Sequence, residues 1–386
     1  MERIVSLRKC DNYEYKEVEN AVNKMFEDLG GIEKFAKSGD KVLLKVNLLN
    51  NLKVELCATT HPVLVEIVAK KFIELGCEVI IGDSSAGFYN AAHLNSVYKA
   101  TKMTEAAKNS GAKLNDDFGT VEIDFPEGKA KKKFEIISIA KSVDVVVNMA
   151  KLKTHQLTMY TGCAKNLYGL IPGMQKVQMH SECNDVMKFT DFIIDINESV
   201  KDKIKLNIID TVMGMEGNGP SAGTPRKVGV LVASESSYAA DLVGINLMNA
   251  KIDDFPLVYV LRLRDIKPNC MEDIKVLGED LNKCKCVGFK LVKDDKNWAK
   301  NTKKSIFNIV KPFKKVIAPY PYVSKKECKG CEKCKEHCPN DAITMVDGKA
   351  TFDIDKCIRC FCCQELCPFH LIKVRRSLFY RIIKKL

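Results

Sequence analysis

KVLLKVNLL (Lys41–Leu49), HPVLVEIVAKKFIELG (His61–Gly76) and EVIIGDSS (Glu78–Ser85) follow one another in a single run of chain. The first and third are apolar stretches of strand length, and the second repeats its apolar residues at helical spacing. Together they read as a strand-helix-strand unit. Three more Val- and Ile-rich segments extend the pattern: DVVVNMAKL (144–152), KLNIIDTVM (205–213) and KVGVLVAS (227–234). Helical stretches are expected around 92–109, 184–200 and 238–250. Strands of this composition with helices between them predict an α/β fold, layered, with a largely parallel sheet.

Such sheets bind ligands at the carboxyl ends of their strands. The polar motifs fall there: NLLNN after the first strand, GDSSAG after the second, KLKTH at the third and MEGNGPSAGTP after Asp210. Candidate substrate-binding residues are therefore Asn47, Lys151, Lys165, Asn166, Glu216 and Asn218, with Asp83 and Asp210 on the same rim. Lys151, Lys153 and His155 share one face of an extended segment, because side chains alternate along a strand. That face suits an anionic substrate, with Lys153, His155 and His61 as candidate catalytic residues and His155 as the proton donor. The bland readings are a solvated strand end for KLKTH, a satisfied buried imidazole for His61 and a surface loop position for His180. In ATTHP, Thr60 reads as a helix N-cap and Pro62 as the first helical residue. GNGPSAG lacks the spacing of a phosphate loop, so a structural turn explains it at least as well. Cys163 reads as a reactive thiol or, more simply, as a small buried filler.

At 386 residues, 46% hydrophobic and 28% charged, the chain has the composition of an ordinary globular protein with room for two or three domains. The start, MERIVSLRKC, has no apolar signal core and no run approaches the length of a spanning helix, which reads as cytoplasmic. Seventeen cysteines without an export signal are expected to be reduced thiols for metal binding or catalysis. The formal charge of +12 favours acidic partners without choosing among them. No helix-turn-helix and no aromatic-interleaved basic face is evident, so nucleic acid is the weakest option.

Eight of those cysteines form an internal repeat. CKGCEKCKEHCP (328–339) and CIRCFCCQELCP (357–368) share the spacing CxxCxxCxxxCP, 29 residues apart. Aligned in this way, the extra cysteine of the second half, Cys362, falls on Lys333 and is the spare. Zinc modules show separated CxxC pairs, so the eight thiols read as iron-sulfur ligands. In each half the first three thiols reach three corners of one cube, and in the bacterial two-cluster pattern the fourth ligates the other cluster. One 4Fe-4S cluster is thus assigned to Cys328, Cys331, Cys334 and Cys367, the other to Cys357, Cys360, Cys363 and Cys338. Asp347-Gly348 offers a hairpin turn between the halves. The segment resembles bacterial-type two-cluster ferredoxin domains, which implies a small α+β unit that moves single electrons at low potential.

A second resemblance rests on KVN, TTHP, IGDS, KLKTH, GCAKNLYG and GMEGNGPSAGTP, followed by Asp241. Over residues 1–290 this combination resembles an uncharacterised family of iron-sulfur-centre proteins, known as a domain of unknown function and often fused to a two-cluster ferredoxin domain. The organisation expected is then 1–290 as the α/β domain, 291–323 as a basic linker, 324–374 as the ferredoxin domain and 375–386 as a basic amphipathic tail. The tail fits an anionic membrane or an acidic redox partner, or packs on its own protein with its basic face solvated. The function expected is a ferredoxin-dependent reductase, taking electrons from a ferredoxin or flavoprotein to an anionic small molecule. The alternative is a non-enzymatic electron-transfer or assembly adaptor that docks a redox partner.

Overall fold

The computed structural model describes residues 2–183, 185–292 and 319–375. Its strands in chain order are β1 (Arg3–Lys9), β2 (Lys41–Lys45), β3 (Glu78–Gly82), β4 (Lys113–Leu114), β5 (Thr120–Asp124), β6 (Lys133–Ile137), β7 (Val145–His155), β8 (Met159–Thr161), β9 (Ile204–Glu216), β10 (Thr224–Ser234) and β11 (Ile274–Gly278), with β12 (Tyr320–Tyr322), β13 (Ile343–Val346), β14 (Lys349–Phe352) and β15 (Lys373–Arg375) after them. Among the described residues β1–β4 and β7–β11 form one nine-stranded sheet in the order β11-β1-β10-β9-β7-β2-β3-β4, with β8 paired to β7. β5 and β6 make a separate hairpin.

The strand-helix-strand unit is present: β2 and β3 pair in parallel, and the helix Pro62–Glu74 crosses between them. It buries Leu64, Val65, Ile67, Val68 and Phe72 against the sheet, which is why the apolar residues recur at that spacing. His61, with its side chain accepting from Val63 N, caps this helix. Thr60, expected to be the cap, instead accepts from Asn47 N and donates to Met149 O. The expected helix around 92–109 is two, Ala91–Ala100 and Met103–Ser110, divided at Lys102 with φ 57°.

The sheet is mixed. β2 pairs in parallel with β3 and β7, as does β7 with β9, but β10 runs antiparallel to both β9 and β1. The connection Gly217–Gly223 is too short for the crossover that a parallel pair requires, so β9 and β10 must form a hairpin. β7 lies inside the sheet, covered on both faces, and all its residues are buried.

In the small C-terminal unit β13 and β14 form the expected hairpin. β12 pairs with β15, so Tyr320–Tyr322, assigned to the linker by sequence, and Arg375, assigned to the tail, close this unit instead. Residues 293–318 of the first segment and 376–386 of the second lie outside the described residues. No helix among the described residues is long and apolar enough to cross a membrane.

Candidate functional site

The KLKTH face is as expected in direction and different in surroundings. Lys151 Nζ bonds Asp210 Oδ2 and the Tyr13 hydroxyl, both at 2.8 Å, and Tyr13 donates to Asp210 Oδ1 at 2.7 Å. The His61 ring stacks on Tyr13 at 3.5 Å. His61 and Lys151 thus belong to one satisfied network beneath the rim. Lys153 Nζ is 2.7 Å from Asn47 Oδ1 and 2.6 Å from Ala58 O, and burial lowers it to about 7. These lysines are held by the protein because β7 is an inner strand.

His155, at the end of the same face, reaches the small domain. Its Nδ1 accepts from Leu157 N and Thr158 N at 3.1 and 3.2 Å, so the ring proton sits on Nε2, 3.2 Å from Glu365 Oε1. Burial pushes His155 down to about 4. Burial alone would raise Glu365, but His155 and Lys165 hold it well below the usual carboxylate range. Glu365 lies on the short helix Cys362–Leu366. The same helix is clamped by Asn50 Nδ2 on Glu365 O at 3.1 Å, Ser221 Oγ on Gln364 O at 3.3 Å and Gln364 Nε2 on Asn218 O at 3.1 Å. The GNGPSAG segment therefore docks the small domain, with Asn218 in that contact and Glu216 turned to Lys290 N and Arg226.

Between the clamped helix and the carboxyl ends of β2 and β3 lies a partly open cavity. Lys45, Lys165, Lys176, His180, Asn47 and Asn166 line it from the α/β side, and Cys362, Glu365 and Leu366 from the other. Lys45 Nζ pairs with Asp83 Oδ1 at 2.6 Å, and Asn166 Oδ1 accepts from Asn47 Nδ2 at 2.9 Å. Asn166 Nδ2 continues to Asn148 Oδ1 at 2.8 Å, a chain of amides that fixes the cavity floor. Lys176 Nζ is bonded by Ser84 O at 2.8 Å and Ser84 Oγ at 3.0 Å, and burial lowers it to about 7. Lys165 differs: its Nζ lies over the Tyr168 and Phe189 rings at 5.4 and 5.9 Å and makes no hydrogen bond or ion pair among the described residues.

His180, read from sequence as a loop position, is a buried residue on the helix Gln175–Glu182 with its ring stacked on Phe189 at 4.2 Å and Nδ1 unbonded. Burial drives it down to about 3. Lys45 and Lys176 were missed altogether. A lysine inside the apolar run KVLLKVNLL was a usable signal, since a buried ammonium needs a partner; Lys176 had none.

Two smaller cavities lie in the C-terminal unit. One is lined by Cys328, Cys331, Cys334 and Cys367; the other by Cys338, Cys357, Cys360 and Cys363. These are the two ligand sets expected from the repeat, and Cys362 faces the interdomain cavity instead. Among the described residues no three His, Cys, Asp or Glu side chains gather as a single metal ion would need. Four thiols around a volume fit a cubane.

Five imidazoles are held below their ordinary value by burial, and the three driven furthest give the fold an acid sensitivity. His61 and His155 at about 4 and His180 at about 3 stay neutral where the unfolded chain, near 6.5, takes up protons. Stability is therefore full above about pH 6.5 and falls as the pH drops toward 4. Urea midpoints of the anaerobic protein measured across that window check this; a midpoint flat from pH 7 to 4.5 would contradict it.

Residues 42–246 match the model described as Domain of unknown function (DUF362), and residues 320–368 match the 4Fe-4S dicluster domain. Thylakoid-associated protein sll1697 of Synechocystis sp. is 31% identical over 280 residues, 70% of this chain and 83% of its own. Dihydromethanopterin reductase (acceptor) of Methanosarcina mazei is 42% identical over 62 residues, covering 15% of this chain and 26% of that protein. Among solved structures, the lactate racemase apoprotein from Thermoanaerobacterium thermosaccharolyticum superposes with a TM-score of 0.40 at 14% identity, over 62% of this chain and 57% of that chain. A likeness that loose carries no chemistry to this protein.

Proposed function

The chain belongs to the DUF362 family and carries a C-terminal 4Fe-4S dicluster domain, and from that premise we propose that it is a cytoplasmic ferredoxin-linked reductase of a small anion held in the interdomain cavity. Its electron donor is a low-potential ferredoxin or flavoprotein. Cys328, Cys331, Cys334 and Cys367 hold one 4Fe-4S cluster and Cys338, Cys357, Cys360 and Cys363 the second. When bound, such clusters supply single electrons at low potential. The observation that carries the reading is the position of the helix Cys362–Leu366: it lies between two thiols of different ligand sets and forms one wall of the cavity.

The chain's own residues divide the remaining work. Lys165 supplies charge to the anion, and Asn47 and Asn166 hold the amide floor in place. Lys153 orients Asn47 from below. His155 keeps a proton on Nε2 against Glu365, which passes the contact on to the cavity. The small domain excludes water by closing over the lysines, which strengthens every charge interaction inside.

Anaerobic holoprotein, reduced and mixed with a panel of small anions, should be reoxidised by at least one of them. His155→Ala should lower that turnover about 100-fold at unchanged iron content, the usual scale for loss of a proton-transfer group. Turnover unaffected by His155→Ala would remove the proton role. A protein that no anion reoxidises would instead be the electron-transfer adaptor.

A further inference from the structure

We propose that the interdomain cavity is built for a monocarboxylate with a compact apolar body, its carboxylate gripped by Lys165 Nζ with the His180 imidazole beside it. The inference rests on the cavity being a ligand site, as argued above, and adds what chemistry fits it.

The charges decide the valence. Lys45, Lys165 and Lys176 reach the cavity wall together with Asp83 and Glu365, so what each cation is already bonded to sets how much anion the site can take. Lys45 is committed to Asp83 and Lys176 to Ser84, whereas Lys165, whose charge acts on Glu365 without bonding it, makes no hydrogen bond or ion pair among the described residues and is the cation open to a ligand. Its contacts are two aromatic faces, which carry a cation but accept no ordinary hydrogen bond. His180 is 3% exposed, shares the Phe189 ring with Lys165 and has an unbonded Nδ1. A buried polar atom without a partner is costly unless something else satisfies it. Burial keeps this imidazole neutral, so it donates one hydrogen bond rather than a second charge.

A phosphate would need more. Phosphate sites gather several free backbone N–H groups, whereas four of those near the cavity are already engaged. Leu48 N donates to Asp83 Oδ2 at 2.9 Å, Ser84 N to Gly169 O at 3.3 Å, Ala86 N to Leu49 O at 2.7 Å and Gly173 N to Ser84 Oγ at 2.7 Å. A dianion would be left with one uncommitted cation. Leu49, Val177, Leu366 and Tyr168 offer the rest of the wall, which is apolar and receives a carbon skeleton.

The test uses anaerobically prepared holoprotein with both domains. Sodium acetate, crotonate and benzoate are titrated against crotonamide, the uncharged counterpart of crotonate, and against inorganic phosphate. Binding is followed by calorimetry and by the rise in melting temperature. Crotonate or benzoate should bind at least about tenfold more tightly than crotonamide or phosphate, and Lys165→Met should weaken the carboxylate at least about tenfold at unchanged iron content. If Lys165→Met does not fold, the ranking on the unmodified protein decides the question. Phosphate binding in preference to every carboxylate would overturn the class and leave the anion site standing. Carboxylate binding indifferent to Lys165→Met would overturn the anchor. No binding of any anion would overturn both this inference and the reductase reading beneath it.

Discussion

Cys367→Ser is expected to cost the protein about half of its iron, while Cys362→Ser keeps all of it. Cys362 opens the helix Cys362–Leu366 and Cys367 follows its last residue, yet the two face different spaces. Cys367 lines the cavity with Cys328, Cys331 and Cys334, 8% exposed and far along the chain from its three companions. A serine hydroxyl is a much harder and less acidic donor than a thiol, so one cubane loses a corner ligand. Cys362 lines the interdomain cavity and neither thiol cage. Iron per chain and the electron paramagnetic resonance of the reduced protein read the outcome. Equal iron loss in both variants, or loss only in Cys362→Ser, would refute the crossed ligand sets.

Asp210→Ala should destabilise the folded protein by about 3–5 kcal/mol, the scale for stripping one partner from a buried ion pair. Asp210 and Lys151 have side chains 0% and 1% exposed, and the same carboxylate accepts from Tyr13 and from His61 N at 3.0 Å. Its removal leaves an ammonium, a hydroxyl and a backbone N–H unpaired together. The double variant Lys151→Met/Asp210→Ala should recover a large part of the loss, because the stranded charge goes with its partner. Denaturant unfolding of the three variants under anaerobic conditions checks this. A single-variant loss below about 1 kcal/mol would mean that water reaches the pair.

The sheet's parallel core was legible because β2, β3, β7 and β9 are Val- and Ile-rich and separated by helical periodicity. β1, RIVSLRK, was not: only Val5, Ser6 and Leu7 are buried, and its charged ends hide a short strand. The antiparallel entry of β10 was within reach, since the turn-rich GNGPSAG connection leaves no room for a crossover. The cysteine repeat pointed to the eight thiols that line the two cavities, because three of each four lie close together in the chain. The cavity was not local in that sense. Lys45 and Lys165 come from separate elements, Lys176 and His180 from one further helix, and Glu365 and Cys362 from the other domain. Strand alternation correctly aligned Lys151, Lys153 and His155, but it says nothing of whether a strand is covered on both faces. That cover, from β2, β9 and the layers of helices, turned an expected open rim into a buried network.

A small anion is expected to sit between the lysines and the iron-sulfur unit. Pulsed electron-nuclear double resonance on the reduced holoprotein, with crotonate labelled with carbon-13 bound, tests that placement directly. A resolved carbon-13 coupling to a reduced cluster, lost in Lys165→Met, is the expected result. Saturating crotonate with no coupling to either cluster would contradict it.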